Sequence, residues 1–318
     1  MKGKISIVGG GSFGSSLGYH LGKKYDGTDV NISIYSIEPE VVKEINNSHT
    51  NSKYAGGIVF PNNITATGDI KESLERTKFI LLAIPAQVTR NVCKDIKQYL
   101  PNNVIIINVA KGLEIGTFKR ISQIVFEELK TLSSSYKFVT LSGPTFAKDI
   151  FNNSHIGITV GGKERKVIFE VRKLFDTPTF DVKIRTYLIW VELGGSLKNV
   201  FAIMAGMMNG LGMGESIAGD FLTRSIVDMK SISMYMGARR CTLDGRPGLG
   251  DLAISCTPHS RNFRFGQKFV QIYKKLQNKP DFPDKILSKT FDSLNCKTIE
   301  GYYTLKPLYN FCKQKNWS

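Results

Sequence analysis

Ile5-Ser6-Ile7-Val8 runs directly into Gly9-Gly10-Gly11-Ser12-Phe13-Gly14. A short apolar strand that stops on such a glycine cluster decides the fold. Gly9, Gly11 and Gly14 supply the G-x-G-x-x-G spacing. The first permits a tight turn, the second lets backbone approach a pyrophosphate, and the third lets the next helix pack close to the sheet. N–H groups at the start of that helix then face the diphosphate, with the helix dipole behind them. The segment predicts the first βα turn of a dinucleotide-binding sheet.

Working outward, apolar segments at 30–35, 79–84, 104–109, 138–141, 157–161 and 179–182 read as strands, with a short one at 64–67. Helical periodicity lies between them at 37–50, 87–100, 118–132 and 163–175, while 51–64 carries loop chemistry. Past residue 185 strand signals fade, and helical stretches follow at 191–211, 219–237, 261–275, 285–294 and 304–311. The expectation is an α/β Rossmann-type domain with a mostly parallel sheet over 1–187, then an all-helical domain over 188–318. A cleft between two such domains is where a small-molecule site is expected.

Composition narrows the class. The chain has 318 residues and a net charge of +16, with Lys and Arg spread along its length. That field attracts anionic metabolites, and no basic cluster marks a stable nucleic-acid partner. No run approaches the ~20 apolar residues of a membrane span. A strand begins almost at once, which leaves no room for a secretory signal and predicts the cytoplasm. Cys93, Cys241, Cys256, Cys296 and Cys312 are odd in number and lack a CxxC pair, as expected of reduced thiols. No Cys/His cluster has the spacing of a metal site, so no metal is expected.

Loops after the strands carry polar chemistry: Pro85-Ala86-Gln87, Lys111-Gly112, and Ser142 through Ala147. Strand two ends Tyr35-Ser36-Ile37-Glu38. An acid here suits the free 2′-hydroxyl of NAD, whereas NADP calls for Arg or Lys; Glu38 tilts the reading toward NAD, although an acid also suits a helix start. In the helical half, Lys198 sits in an apolar stretch just after Gly194-Gly195. Either its stem snorkels to the surface, or it is buried, paired, and placed to exchange a proton with an alcohol or carbonyl oxygen. Asp251, after Gly248-Leu249-Gly250, either caps a helix or orients Lys198 and a substrate hydroxyl. Ser260-Arg261-Asn262 opens a helix with an arginine that opposes the dipole, an arrangement that an anionic ligand such as phosphate would reconcile.

Taken together, GGGSFG (9–14), KGLE (111–114), LSGPTFA (141–147), ELGGSLKNV (192–200), GLGD (248–251), SRN (260–262) and EGYYT (300–304) resemble, in order, the motifs of the NAD(P)-dependent glycerol-3-phosphate dehydrogenases. The resemblance implies hydride transfer between NAD(P)H and dihydroxyacetone phosphate, giving sn-glycerol 3-phosphate for phospholipid synthesis. It implies Lys198 as proton donor and acceptor. Substrate contacts would come from Lys111, Gly143, Thr145, Asp251, Ser260, Arg261 and Asn262. Cofactor contacts would come from Ser12, Phe13, Lys111, Ala147, Arg261 and Glu300 besides Gly9, Gly11 and Gly14. It also implies a homodimer. Phe13 stands where many relatives carry Trp, Ile37 where an arginine is common, and Asp220 where Asn or Ala is usual. Two rival readings are a two-domain dehydrogenase of a hydroxy acid and a non-catalytic dinucleotide-binding redox sensor.

Overall fold

The computed structural model describes residues 3–238, 243–276, 284–294 and 299–314; Cys241 and Cys296 lie outside them. The chain forms two compact units. The first comprises Met1–Ala110 and Arg120–Leu188, and the second Lys111–Lys119 and Ile189–Ser318.

In the first unit, β1 (Gly3–Val8), β2 (Val30–Tyr35), β3 (Ile64–Thr67), β4 (Thr77–Leu82), β5 (Val104–Asn108), β6 (Tyr136–Ser142), β7 (Ile156–Gly162) and β8 (Phe180–Arg185) form one sheet. Their order is β3-β2-β1-β4-β5-β6-β7-β8. All pairs are parallel except β6 with β7. The chain moves outward from β1 to β3 and then returns to β4 on the other side of β1. That reversal places the carboxyl end of β1 at the topological switch point, where ligands bind in open α/β sheets.

Helices cover both faces: α1 (Ser12–Lys24), α2 (Pro39–Ser48), α3 (Ser52–Ala55), α4 (Ile70–Leu74), α5 (Thr89–Ile96), α6 (Ile121–Glu128), α7 (Ala147–Phe151) and α8 (Arg165–Phe175). The period-two alternation of a strand explains how each strand serves two cores. Ile5 and Ile7 join one core with Leu17, Ile34 and Val171, while Val8 faces the other with Leu82, Ile96 and Val125. Three sequence expectations are corrected. Residues 118–132 are not one helix, because Phe118 sits at φ +57 and α6 begins only at Ile121. The 87–100 stretch breaks into two 3-10 turns around α5. The 51–64 stretch, read as loop, contains the short helix α3.

The second unit is helical: α9 (Leu188–Leu211), α10 (Glu215–Tyr235), α11 (Asp251–Ser255), α12 (Arg261–Leu276), α13 (Asp284–Leu294) and α14 (Glu300–Gln314). A single π-type turn, Arg246–Gly250, feeds α11. Leu193, Leu197, Phe201, Met229, Leu243, Leu252 and Leu308 form its main core. By length and composition α9 is the one described helix apolar enough to cross a membrane, although no membrane span is expected from the sequence; 83% of that stretch is buried inside the protein.

Candidate active site

The glycine turn belongs to the first unit. Gly9 has φ +120, and a Cβ there would run into the Ala83 carbonyl just past β4. A Cβ on Gly14 would overlap the Gly9 carbonyl, so α1 packs onto the turn only because both side chains are missing. A Cβ on Gly11 would meet nothing within 4 Å, so this side of the turn is open. Gly11 occupies the N-cap of α1 without a side-chain cap, and no acid lies in the first turn. The leading N–H groups, which no helix can satisfy internally, therefore suit a diphosphate. Ser12 is exposed and Phe13 half-buried at this turn.

At the end of β2, Ser36 is buried and accepts a hydrogen bond from the Glu38 N–H at 3.2 Å. Glu38 accepts from the Tyr54 hydroxyl at 2.7 Å and pairs with Lys53. Hydrogen bonds from Lys53 and then Tyr54 hold its carboxyl below the usual range, so it is a carboxylate at neutral pH. Ile37 beside it is 82% exposed. Gly143 follows β6, and a Cβ there would approach the Gly157 carbonyl at 2.8 Å. Thr145 is buried, with its hydroxyl donating to the Gly143 carbonyl at 3.2 Å. Ala147 is the first residue of α7.

The second unit gathers the charged candidates. Asp251 is wholly buried at the start of α11. Its Oδ1 accepts from Lys198 Nζ, and its Oδ2 accepts from Lys111 Nζ at 2.6 Å. Lys198 also donates to Ser255 Oγ at 2.6 Å. The snorkelling alternative fails, because the Lys198 side chain is only 8% exposed. A carboxylate between two ammonium groups leaves one net positive charge in a site where water screens little. Burial pushes the Lys198 ammonium down to about 8; the Asp251 charge opposes that fall and the Lys111 charge adds to it. A group titrating there can give or take a proton near neutral pH.

Local sequence explains the gathering. α9 presents Lys198 from an interior position, and Gly194 on the same helix touches the backbone of the turn before α11, where a Cβ would strike the Pro247 carbonyl. That close approach brings Asp251 within reach of the lysine. Ser196 Oγ accepts from the Gly112 N–H at 3.0 Å and shares its own proton between the Glu192 carbonyl at 2.8 Å and the Gly112 carbonyl at 3.2 Å, which fixes Lys111 beside α9. Asn199 Oδ1 accepts from Asn262 Nδ2 at 3.0 Å, and Asn262 Oδ1 accepts from the Gly301 N–H at 3.0 Å. Asn262 thus links α9, α12 and the start of α14, where Glu300 is partly buried. Ser260 is buried, and Arg261 projects from the first turn of α12, exposed and without a carboxylate partner among the described residues.

The structure therefore brings Lys111, Lys198 and Asp251 together, and separately links Asn262 to Asn199 and Gly301. The glycine turn, Gly143, Thr145 and Ala147 lie in the other unit. Ser196, Asn199 and Ser255 had no role assigned from sequence. Ser255 follows Asp251 by four residues, one helical turn, and that spacing was the available signal. Burial pushes the Cys256 thiol up to about 12, which disfavours its thiolate. Asp220 faces water and pairs with Arg224 at 2.8 Å.

A dinucleotide turn at a sheet switch point and a buried lysine poised near neutrality define the class of nicotinamide-dependent dehydrogenases. Residues 4–168 match the NAD-dependent glycerol-3-phosphate dehydrogenase N-terminus, and residues 188–318 match the corresponding C-terminus. The chain belongs to that family. It is 38% identical to glycerol-3-phosphate dehydrogenase (NAD(P)+) of Clostridium tetani over 263 residues, which is 82% of this chain and 73% of the relative. The Clostridium perfringens protein of the same name is 36% identical over 83% of this chain and 77% of its own. Among solved structures, the Coxiella burnetii glycerol-3-phosphate dehydrogenase superimposes with a TM-score of 0.87 at 26% identity, covering 99% of this chain and 90% of that one. The Plasmodium falciparum glycerol-3-phosphate dehydrogenase shares the fold, with a TM-score of 0.86 at 24% identity over 99% and 87% of the two chains.

Proposed function

We propose that this enzyme interconverts dihydroxyacetone phosphate and sn-glycerol 3-phosphate, with Lys198 as proton donor and acceptor. The observation that carries the reading is the buried Lys198–Asp251–Lys111 cluster in a chain of this family. Bound NAD(P)H supplies the hydride. Negative charge then grows on the ketone oxygen, and the Lys198 ammonium stabilises and protonates it. Asp251 holds the lysine in place, and Ser255 fixes its direction. Lys111 adds positive charge for the same oxygen. Arg261, whose guanidinium pairs with no carboxylate among the described residues, takes the phosphate end with Ser260 and Asn262. Gly143 and Thr145 complete the substrate contacts. In the reverse direction neutral Lys198 removes the alcohol proton.

The division of labour follows the sequence boundary. Residues 1–187 hold the cofactor through Gly9, Gly11, Ser12, Phe13, Gly14 and Ala147. Residues 188–318 supply the proton and most substrate contacts, with Arg261 and Glu300 also approaching the cofactor, and Lys111 serves both ligands. NAD is preferred over NADP: the Glu38 carboxylate accepts a ribose 2′-hydroxyl and repels a 2′-phosphate. The enzyme works as a cytoplasmic homodimer that feeds phospholipid synthesis. Exposed Ile217, Val227, Met234 and Tyr235 on α10 support an association surface, and free thiols at Cys93 and Cys256 suit a reducing compartment.

Initial rates with dihydroxyacetone phosphate, comparing NADH with NADPH, test the reading. Turnover with a higher kcat/KM for NADH is expected. Tight NADH binding without turnover would overturn the catalytic assignment, and a preference for NADPH would overturn the role given to Glu38.

A further inference from the structure

Asn51, in the segment that follows α2, has no assigned role, yet it contacts the glycine turn. Asn51 is wholly buried. Its Nδ2 donates to the Gly10 carbonyl at 3.0 Å and lies 3.0 Å from Ser15 Oγ, to which it also donates. Ser15 Oγ in turn donates to that same carbonyl at 3.1 Å. Two side chains thus hold one peptide oxygen inside the protein.

A trans peptide points its C=O and the following N–H to opposite sides. With the Gly10 oxygen held inward, the Gly11 N–H faces outward. No acceptor among the described residues takes that N–H, and the Cβ direction of Gly11 opens on free space. Resting on the cofactor reading above, we propose that Asn51 is a positioning residue for the dinucleotide turn: it locks the Gly10–Gly11 peptide so that the Gly11 N–H meets the cofactor diphosphate.

Asn51 is itself braced on both sides. Its carbonyl accepts from the N–H groups of Tyr54 at 3.1 Å and Ala55 at 2.7 Å. The Glu44 carboxylate accepts from the Thr50 hydroxyl at 2.8 Å, the Ser52 N–H at 2.7 Å and the Ser52 hydroxyl at 2.9 Å. The amide oxygen of Asn51 is buried without a donor among the described residues. A residue kept only to fill space would avoid that desolvation cost. A side chain held for the direction of its N–H groups bears it.

Asn51→Asp replaces the donor by a carboxylate of the same shape and repels the Gly10 oxygen. The measurements are NADH and ADP-ribose titrations, steady-state kinetics and thermal unfolding. Dissociation constants for both ligands should rise about tenfold, the loss of one charge-assisted hydrogen bond. KM for dihydroxyacetone phosphate should stay unchanged, and kcat at saturating NADH should remain within about twofold. A role confined to packing would lower the melting temperature and leave ADP-ribose affinity intact, which overturns the inference. So does unchanged NADH affinity in the folded variant. Asn51→Ser, too short to reach Gly10, carries the same test if the aspartate does not fold, and Ser15→Ala removes the other donor if neither does. Wild-type protein that binds no NADH would overturn the cofactor reading as well.

Discussion

Lys198 concentrates the chemistry of the chain. Lys198→Ala should lower kcat by about 10²–10⁴ with NADH affinity retained, the usual weight of a general acid; stopped-flow reduction of dihydroxyacetone phosphate measures it. Below about pH 8 the lysine carries its proton, so ketone reduction should be fast there and fall as pH rises past that point. Alcohol oxidation needs the neutral amine and should climb toward the same midpoint and level off above it. Asp251→Asn removes the one influence that holds the lysine pKa up and leaves burial and the Lys111 charge, which both depress it. The midpoint of the reduction profile should therefore move to lower pH. Stability should also fall, by about 3–5 kcal/mol, as for a buried ion pair losing one partner. Lys198 was legible in sequence because a cation in an apolar helix beside paired glycines demands a partner. Ser255 was not, because its place beside the lysine depends on where α11 begins.

Helix and strand boundaries set what the side chains can reach. Long periodic elements such as α8, α9 and α12 were readable from apolar spacing. The four-residue α3 is too short to show a period, whereas β3 lies where the sequence placed a short strand. The antiparallel β7 was unreadable too, since strand direction rests on the route of the connection rather than on residue type. The sharpest constraint at this scale is the overlap of turn and helix at Gly14. Gly14→Ala would press a methyl group onto the Gly9 carbonyl. It should raise KM for NADH and destabilise the protein by about 1–3 kcal/mol, as overpacking does; urea unfolding with and without NADH separates the two effects.

Across the whole molecule the charge of +16 favours encounter with anions. Raising salt should lower kcat/KM for dihydroxyacetone phosphate while kcat changes little, because screening acts on approach rather than on the buried pair. Steady-state rates across a sodium chloride series check this, and equal loss in both parameters would assign the charge no part in capture.

The tether made by Ser196 on Gly112 bears on how the polypeptide can be divided. The chain passes from one unit to the other three times, at residues 110, 119 and 188. No single cut separates the halves. A fragment starting at residue 189 would lack Lys111 and would lose the wholly buried Leu113 from its core. A fragment ending at residue 187 would carry both as unsupported loop. Each piece made alone should be less soluble and inactive, whereas the two made together should recover turnover, because the 111–119 segment is a graft from the first half into the core of the second.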